Sequence, residues 1–373
     1  MNQFKVLAVT LCVCAFAIRV QSASEDTQRI AIALEALSRL QGVDINTNPS
    51  LKAAVYRLLD QARGTPQFVQ IVKQFDLKDQ NEGLLEVASS NPTADFGVEA
   101  MRVLLAKQGS NSIGQALAGT NFVVATRTAE VLGNTAERLS VPLLLPLLND
   151  QQRDLDLRKQ VVRALIQTSN GATELLQLAR ADQLAADLKF TAAGELNSVR
   201  WPEVKNEAAK ILPLPASKNA QPLPTLAELL KMKGDVIRGE GVFFRPLPGC
   251  FSCHQVKGKG VQIGPDLSEI GSKLGKDAII EAILEPNAGI SVGYETYSLE
   301  LKSGDEAYGL LTSDSADEIA IKDLKGIISR YPKKEIVSRR QLKTSIMPTG
   351  LQQSMTAQDF IDLVEFLFSL KKQ

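Results

Sequence analysis

Cysteine and histidine are scarce in this chain, and they fall together. The segment Cys250-Phe251-Ser252-Cys253-His254 holds the single histidine of the 373 residues and two of the four cysteines. C-x-x-C-H is the spacing used to attach a c-type haem. On one helical turn the two thiols reach the two vinyl groups and become thioethers, while the adjacent imidazole is aimed at the iron. Three other chemistries use the same residue types. A disulfide between Cys250 and Cys253 suits an exported chain but leaves the histidine without a role. A thioredoxin-like dithiol wants a βαβ context, whereas the flanks here read as helix, turn and helix. Structural zinc wants four ligands and would have to recruit carboxylates.

The lone imidazole also limits what can lie opposite it. A bis-histidine haem and a peroxidase-like distal histidine are both impossible within one chain, and so is a separate Ser-His-Asp relay or multi-histidine zinc site. Beyond the first residues, Met101, Met232, Met347 and Met355 are the thioethers on offer. Met347 is the best placed, 93 residues after His254 in Ser345-Ile346-Met347-Pro348-Thr349-Gly350. The proline after it biases Met347 away from the α region, onto an extended loop that can lay its sulfur over a haem face; Met355 is the rival. Iron held by His254 and Met347 has no vacant position, so its work is one-electron transfer rather than enzymatic turnover. An open sixth position would instead make the chain a haem enzyme or a gas or redox sensor.

The elements that must position these residues fall into two regions, as the length leads one to expect. With 42 basic against 42 acidic residues and 44% hydrophobic residues, the composition is that of a globular protein, and the neutral balance argues against a nucleic-acid partner. Residues 1–22 read as an export signal: Lys5, an apolar run from Val6 to Ile18, and small residues around Ser22. Its removal would take away Cys12 and Cys14, leave Cys250 and Cys253 as the mature cysteines, and place the protein in the periplasm or outside the cell, not as an integral membrane protein. An uncleaved amphipathic anchor is the alternative, because Arg19 interrupts the run.

Residues 24–212 carry helical spacing throughout. Ile30, Leu34, Leu37 and Leu40 make one stripe, and Leu51, Val55, Leu58 and Ala62 the next. Inner helices end on Leu105, Leu132, Leu165 and Leu196, which are 27, 33 and 31 residues apart. Paired helices at a period near 30 resemble degenerate HEAT-type repeats, which implies an α-α superhelix serving as a partner-binding scaffold; a plain bundle is the alternative. Met101 and Trp201 read as packing residues of these helices. Four of the 16 prolines (Pro213, Pro215, Pro222, Pro224) then mark 213–225 as a stiff linker and a domain boundary. Residues 226–373 form the second domain. Within it, about 294–343 alternates as strands do: Tyr297 to Leu301, Ile319 to Ile321, Gly326 to Ile328 and Glu335 to Val337, with turns at Ser303-Gly304-Asp305 and Ser313-Asp314-Ser315. The fold expected is mainly α, with a small antiparallel β insertion. A last helix follows, capped by Thr356, with a stripe of Phe360, Leu363, Val364 and Leu367 and with Lys371-Lys372 at its end.

Some 140 residues, from about 234 to 373, resemble a class I cytochrome c domain. Within that class they resemble the Pirellula/Verrucomicrobium-type haem-binding family, often fused to helical repeats or to sugar-dehydrogenase-like propellers. Gly239-Glu240-Gly241-Val242-Phe243 is similar to the N-terminal helix, Cys250 to His254 to the haem site, and Gly264-Pro265-Asp266-Leu267 to the loop beneath the proximal histidine. Glu285-Pro286-Asn287-Ala288 and Gly293-Tyr294-Glu295 look like the middle segment, and Met347-Pro348-Thr349-Gly350-Leu351 like the distal loop. The resemblance implies one covalently bound haem c and axial ligands His254 and Met347. It also implies that the Pro265 carbonyl accepts the imidazole Nδ1 hydrogen, and that Gly239 and Phe243 pack on Leu363, Phe366 and Leu367. It implies redox proteins as partners, a dehydrogenase as donor or a cytochrome or oxidase as acceptor. Lys333, Lys334, Arg339, Arg340 and Lys343, offset by Glu335, form a basic patch suited to an acidic partner.

Overall fold

A computed structural model describes residue 32 and residues 44–107, 109–214 and 223–372. The expected export signal, the first leucine stripe and the middle of the proline-rich linker lie outside the described residues. The chain is mainly α, with two antiparallel β elements in its C-terminal third. Among the described residues no helix is long and apolar enough to cross a membrane. Contacts divide the chain into two compact units, Met1–Thr135 and Ala136–Gln373.

The first unit carries α1 (Pro49–Gln61), α2 (Pro66–Gln74), α3 (Asn81–Ser90), α4 (Asp95–Ala106), α5 (Ser110–Ala118) and α6 (Phe122–Thr135). The Asn48 side chain accepts the Leu51 N–H, and Pro49 occupies the first turn, where its missing N–H costs nothing. Helices α3 and α4 pack together, as do α5 and α6, and Met101 is fully buried. The Asn134 amide closes the unit by donating to the Pro92 carbonyl at 2.7 Å.

After a short helical stretch at Val141–Leu144, the second unit carries α7 (Leu155–Leu165), α8 (Ser169–Arg180), α9 (Lys189–Ser198) and α10 (Pro202–Ile211). Leu105, Leu132, Leu165 and Leu196, which set the period of the sequence, are all buried near the ends of α4, α6, α7 and α9. The division between the compact units falls inside the helical region, not at the proline-rich segment. Polar clamps to the hairpin of the later β element explain the grouping. Arg138 donates its backbone N–H to Asp305 at 2.8 Å and its guanidinium to the Ser303 carbonyl. Arg200 pairs with Glu306 at 2.7 Å and lies between the rings of Trp201 and Tyr308, at 4.2 and 4.8 Å. Trp201 is therefore a half-buried stacking partner at the start of α10, not a core residue.

The rest of the second unit is organised by α11 (Val236–Phe244), α12 (Lys276–Leu284) and α13 (Ala357–Ser369). Helix α11 starts at Asp235, whose carboxylate accepts the Arg238 N–H; α13 starts at a reciprocal cap in which Thr356 and Asp359 each accept the other's backbone N–H. Helices α11 and α13 cross at Gly239. A β-carbon there would stand 1.9 Å from the Asp362 carbonyl oxygen and 2.8 Å from Phe366 Cβ, so only glycine lets the backbones approach this closely. Phe243 packs on Phe366 beside the crossing at 5.7 Å between ring centroids. Phe360, Leu363, Val364 and Leu367 are all buried, while Lys371 and Lys372 lie beyond the end of α13 at Ser369.

Between α12 and α13 runs an antiparallel five-stranded sheet of β1 (Thr296–Leu301), β2 (Glu306–Asp314), β3 (Glu318–Lys322), β4 (Ile328–Pro332) and β5 (Ile336–Gln341), in the order β4-β3-β2-β1-β5. Laid flat, five strands would part the outer pair by about 19 Å. The link from β4 to β5 is the single turn Lys333–Glu335, which reaches about 14 Å at most. The sheet must therefore curl, and it encloses its own small core of Leu299, Ala307, Ile319 and Ile321. The sheet is larger than the sequence pattern suggested. Strand β2 carries no clean alternation, because Gly309 and the adjacent Leu310-Leu311 break it and a register shift between Leu311 and Ser313 moves the face again. Gly326 lies in the turn before β4 rather than in the strand, with φ of 83°.

Candidate functional site

The Cys250–His254 segment hangs from α11 on a tight turn. Cys250–Ser252 is one turn of 3-10 helix, and the Cys250 carbonyl accepts from the N–H groups of Cys253 at 3.2 Å and His254 at 2.9 Å. The turn therefore gathers both thiols and the imidazole about one helical curl, as the spacing requires. Phe251 leans on Phe244 at 6.2 Å between ring centroids, which fixes the turn against α11. No second helix follows. A two-residue ladder pairs Gln255–Val256 with Lys259–Gly260, turning at Lys257 and Gly258, both in the left-handed region. The returning strand locks the cysteine turn from below: Val261 N–H donates to the Phe251 carbonyl at 2.9 Å, and those of Ile263 and Gly264 to the Cys253 carbonyl at 3.0 and 2.7 Å.

The same return path aims the imidazole. His254 Nδ1 lies 2.8 Å from the Pro265 carbonyl oxygen. A carbonyl can only accept, so Nδ1 carries the hydrogen and the lone pair of Nε2 is left free. Gly264 lies flat against the ring: a β-carbon at that position would stand 2.6 Å from His254 Cε1. Burial holds the imidazole below its ordinary basicity, against the opposite pull of the Pro265 carbonyl, so the ring is neutral at pH 7. Burial also pushes the Cys250 thiol up to about 11 and raises Cys253. Both sulfurs are thus neutral thiols at physiological pH, and both are free cysteines, not a disulfide.

Cys250 and His254 open onto a small recess between α11, α12 and α13. Its other walls are apolar and come from α11 (Phe243), α12 (Ile283), α13 (Leu363, Leu367) and the loops bearing Leu267 and Leu351. Met347 and Met355 both line it, so the histidine and its two candidate partners meet in one cavity. Cys253 is half-buried and stands outside the lining, one residue before His254. Of the remaining methionines, Met101 is buried in the first unit, and Met232 packs against the core of the second without lining the recess. Among the described residues no cluster of His, Cys, Asp or Glu could hold a bare metal ion.

The two candidate sulfurs sit differently. Met355 is 2% exposed and belongs to the apolar core beneath α13. Met347 is half-buried on the loop from Leu342 to Gly350, which has no regular structure, and its N–H donates to Ser345 Oγ at 3.1 Å.

The donor set suits a haem. Two neutral thiols stand three residues apart about one turn, one neutral imidazole has a free Nε2, and the apolar walls include thioether sulfur. Cys250 and Cys253 would hold such a group covalently and His254 Nε2 would ligate its iron; the group would supply a one-electron couple, which the chain tunes through burial and the Pro265 bond.

Residues 236–320 match the family model for cytochrome c, which supports a cytochrome c domain in this part of the chain, with the haem c binding and electron transfer that such a domain implies. The match takes in Cys250, Cys253, His254 and Pro265 and ends within β3. Met347 and α13 therefore lie beyond it, carried past the matched residues by the inserted sheet. Comparison with curated proteins gives no match.

Proposed function

We propose that this protein is an exported, periplasmic or secreted, monohaem c-type cytochrome that moves single electrons between redox proteins, with His254 and Met347 as the axial ligands of its iron. The observation that carries the reading is the shared apolar recess. His254, with Nδ1 committed to Pro265, and Met347, on an irregular loop, line the same cavity. A six-coordinate His/Met iron keeps substrates off the metal and changes geometry little between oxidation states, which favours electron transfer over turnover, and methionine raises the potential relative to a second histidine. The helices of residues 24–212 serve in this reading as degenerate HEAT-type repeats that hold a partner.

The basic patch beside the Met347 loop is smaller than its sequence suggests. Asp314 pairs with Lys333 at 2.7 Å and Arg339 at 2.5 Å, leaving Lys334, Arg340 and Lys343 exposed. An acidic donor or acceptor would be steered by these three, weakly and with a dependence on salt.

Absorption spectra of the purified holoprotein test the reading. A low-spin haem in both oxidation states, unreactive with carbon monoxide and turned high-spin by Met347→Ala, is the expected result. A high-spin ferric haem indifferent to Met347→Ala would overturn it in favour of an open site for a haem enzyme or sensor.

A further inference from the structure

The loop that carries Met347 is tied down by a residue far from it in sequence. Asn287 Oδ1 accepts the Ser345 backbone N–H at 2.7 Å, across 58 residues of chain. Ser345 Oγ in turn accepts the Met347 N–H at 3.1 Å, so one short relay runs from Asn287 through Ser345 to the backbone of Met347. Asn287 is itself held by its neighbours: Pro286 is buried, and the Ala288 N–H donates to the Glu285 carbonyl at 2.9 Å, which closes a turn directly after α12. Helix α12 supplies Ile283 to the wall of the same recess. On its other side the loop begins where β5 ends, and the Leu342 N–H donates to the Thr296 carbonyl at 2.8 Å, at the start of β1. The loop is thus fixed at two points, one on the sheet and one on the α12 turn, and the second lies two residues from the sulfur-bearing side chain.

We infer that Asn287 is a positioning residue for Met347, holding the distal loop against the recess so that the thioether stays within reach of the iron opposite His254. The inference rests on the assignment of Met347 as axial ligand and adds the device that keeps it there. A methionine sulfur is a weak ligand with three rotatable bonds behind it, so its hold depends on how little freedom its backbone has when the bond breaks. An amide oxygen capturing one backbone N–H restricts that freedom without touching the iron. Glu285-Pro286-Asn287-Ala288 thereby acquires a role: the buried proline seats the turn and the asparagine reaches across to the loop.

The experiment titrates imidazole, which competes with methionine for ferric iron, into the whole holoprotein and into Asn287→Ala, Asn287→Asp and Met347→Ala. Losing one net hydrogen bond, about 1 kcal/mol, corresponds to roughly a five-fold shift in the equilibrium between bound and released sulfur. Imidazole should bind several-fold more tightly to Asn287→Ala, and near its original strength to Asn287→Asp, which keeps an oxygen acceptor. Hydrogen exchange at the Ser345 and Met347 amides should quicken in Asn287→Ala alone. If Met347→Ala strengthens imidazole binding while Asn287→Ala leaves both binding and exchange unchanged, the positioning role is overturned and the ligand assignment stands. If Met347→Ala itself leaves imidazole binding unchanged, the ligand assignment fails and this inference falls with it.

Discussion

Met347 and Met355 line one recess eight residues apart, and their surroundings separate them. Met355 is sealed in an apolar core, where leucine of similar volume should substitute for less than about 1.5 kcal/mol of stability with the haem spectrum unchanged. Met347 sits on a loop with little to lose in packing, so Met347→Leu should leave the melting temperature nearly constant and abolish the low-spin spectrum. Interchanged outcomes would make Met355 the ligand. On the proximal side, Gly264→Ala would press a methyl into the imidazole ring. Its expected effect is a displaced His254, seen as a weakened proximal bond in the ferrous resonance Raman spectrum; an unaltered bond would show that the ring can give way. Most of this chemistry is legible in sequence because its geometry is local. Five consecutive residues fix the two thiols and the imidazole, and Pro265 follows eleven residues on. Asn287 was legible only as part of a motif without a role, since its bond to Ser345 depends on a sheet intervening between them.

At the scale of elements, the crossing of α11 and α13 holds the recess open on one side. Gly239→Ala would force the helices apart against the Asp362 carbonyl and the Phe366 side chain, at a cost of about 3 kcal/mol, readable as a lowered denaturation midpoint. The same crossing contains an ion pair with a defined pH dependence. The Asp362 carboxylate, 2% exposed, accepts from Arg238 Nε at 2.6 Å, from the Asp235 N–H at 2.8 Å and from Gln358 at 2.9 Å. Arg238 above all holds its pKa below the ordinary carboxylate value. A depressed carboxylate contributes its stability above the unfolded-state pKa, near 3.9, and loses it as pH falls further toward the folded value. The second unit should therefore lose stability steeply below about pH 4, and Asp362→Asn should be weaker at neutral pH with a shallower acid limb in urea denaturation. Equal acid limbs would show that Asp362 does not set the acid sensitivity of this unit. The helices were legible from their stripes and caps. The curled sheet was only half legible, because the Lys333–Glu335 link and the Arg138 and Arg200 clamps are long-range facts that alternation does not encode.

At the scale of the whole molecule, α7 to α10 belong with the haem-bearing part through Arg138 and Arg200. Removing the Arg200 side chain takes away a charged hydrogen bond and two ring contacts, and about 2 kcal/mol of stability in the second unit should go with them, the haem spectrum staying as it was. A change in melting temperature below 1 °C would mean that these helices unfold independently of the sheet. The proline cluster suggested a boundary at 213–225 because composition marks where regular structure stops, and it does not report which folded parts adhere. One haem held covalently by Cys250 and Cys253 underlies every role given to this recess, and intact mass spectrometry of protein matured in a cell that assembles c-type cytochromes reads it without ambiguity. The expected mass under denaturing conditions is that of the polypeptide plus one haem, with Cys250→Ser and Cys253→Ser each retaining at most a single thioether. Polypeptide mass alone, with any haem extracted by acidified organic solvent, would contradict it.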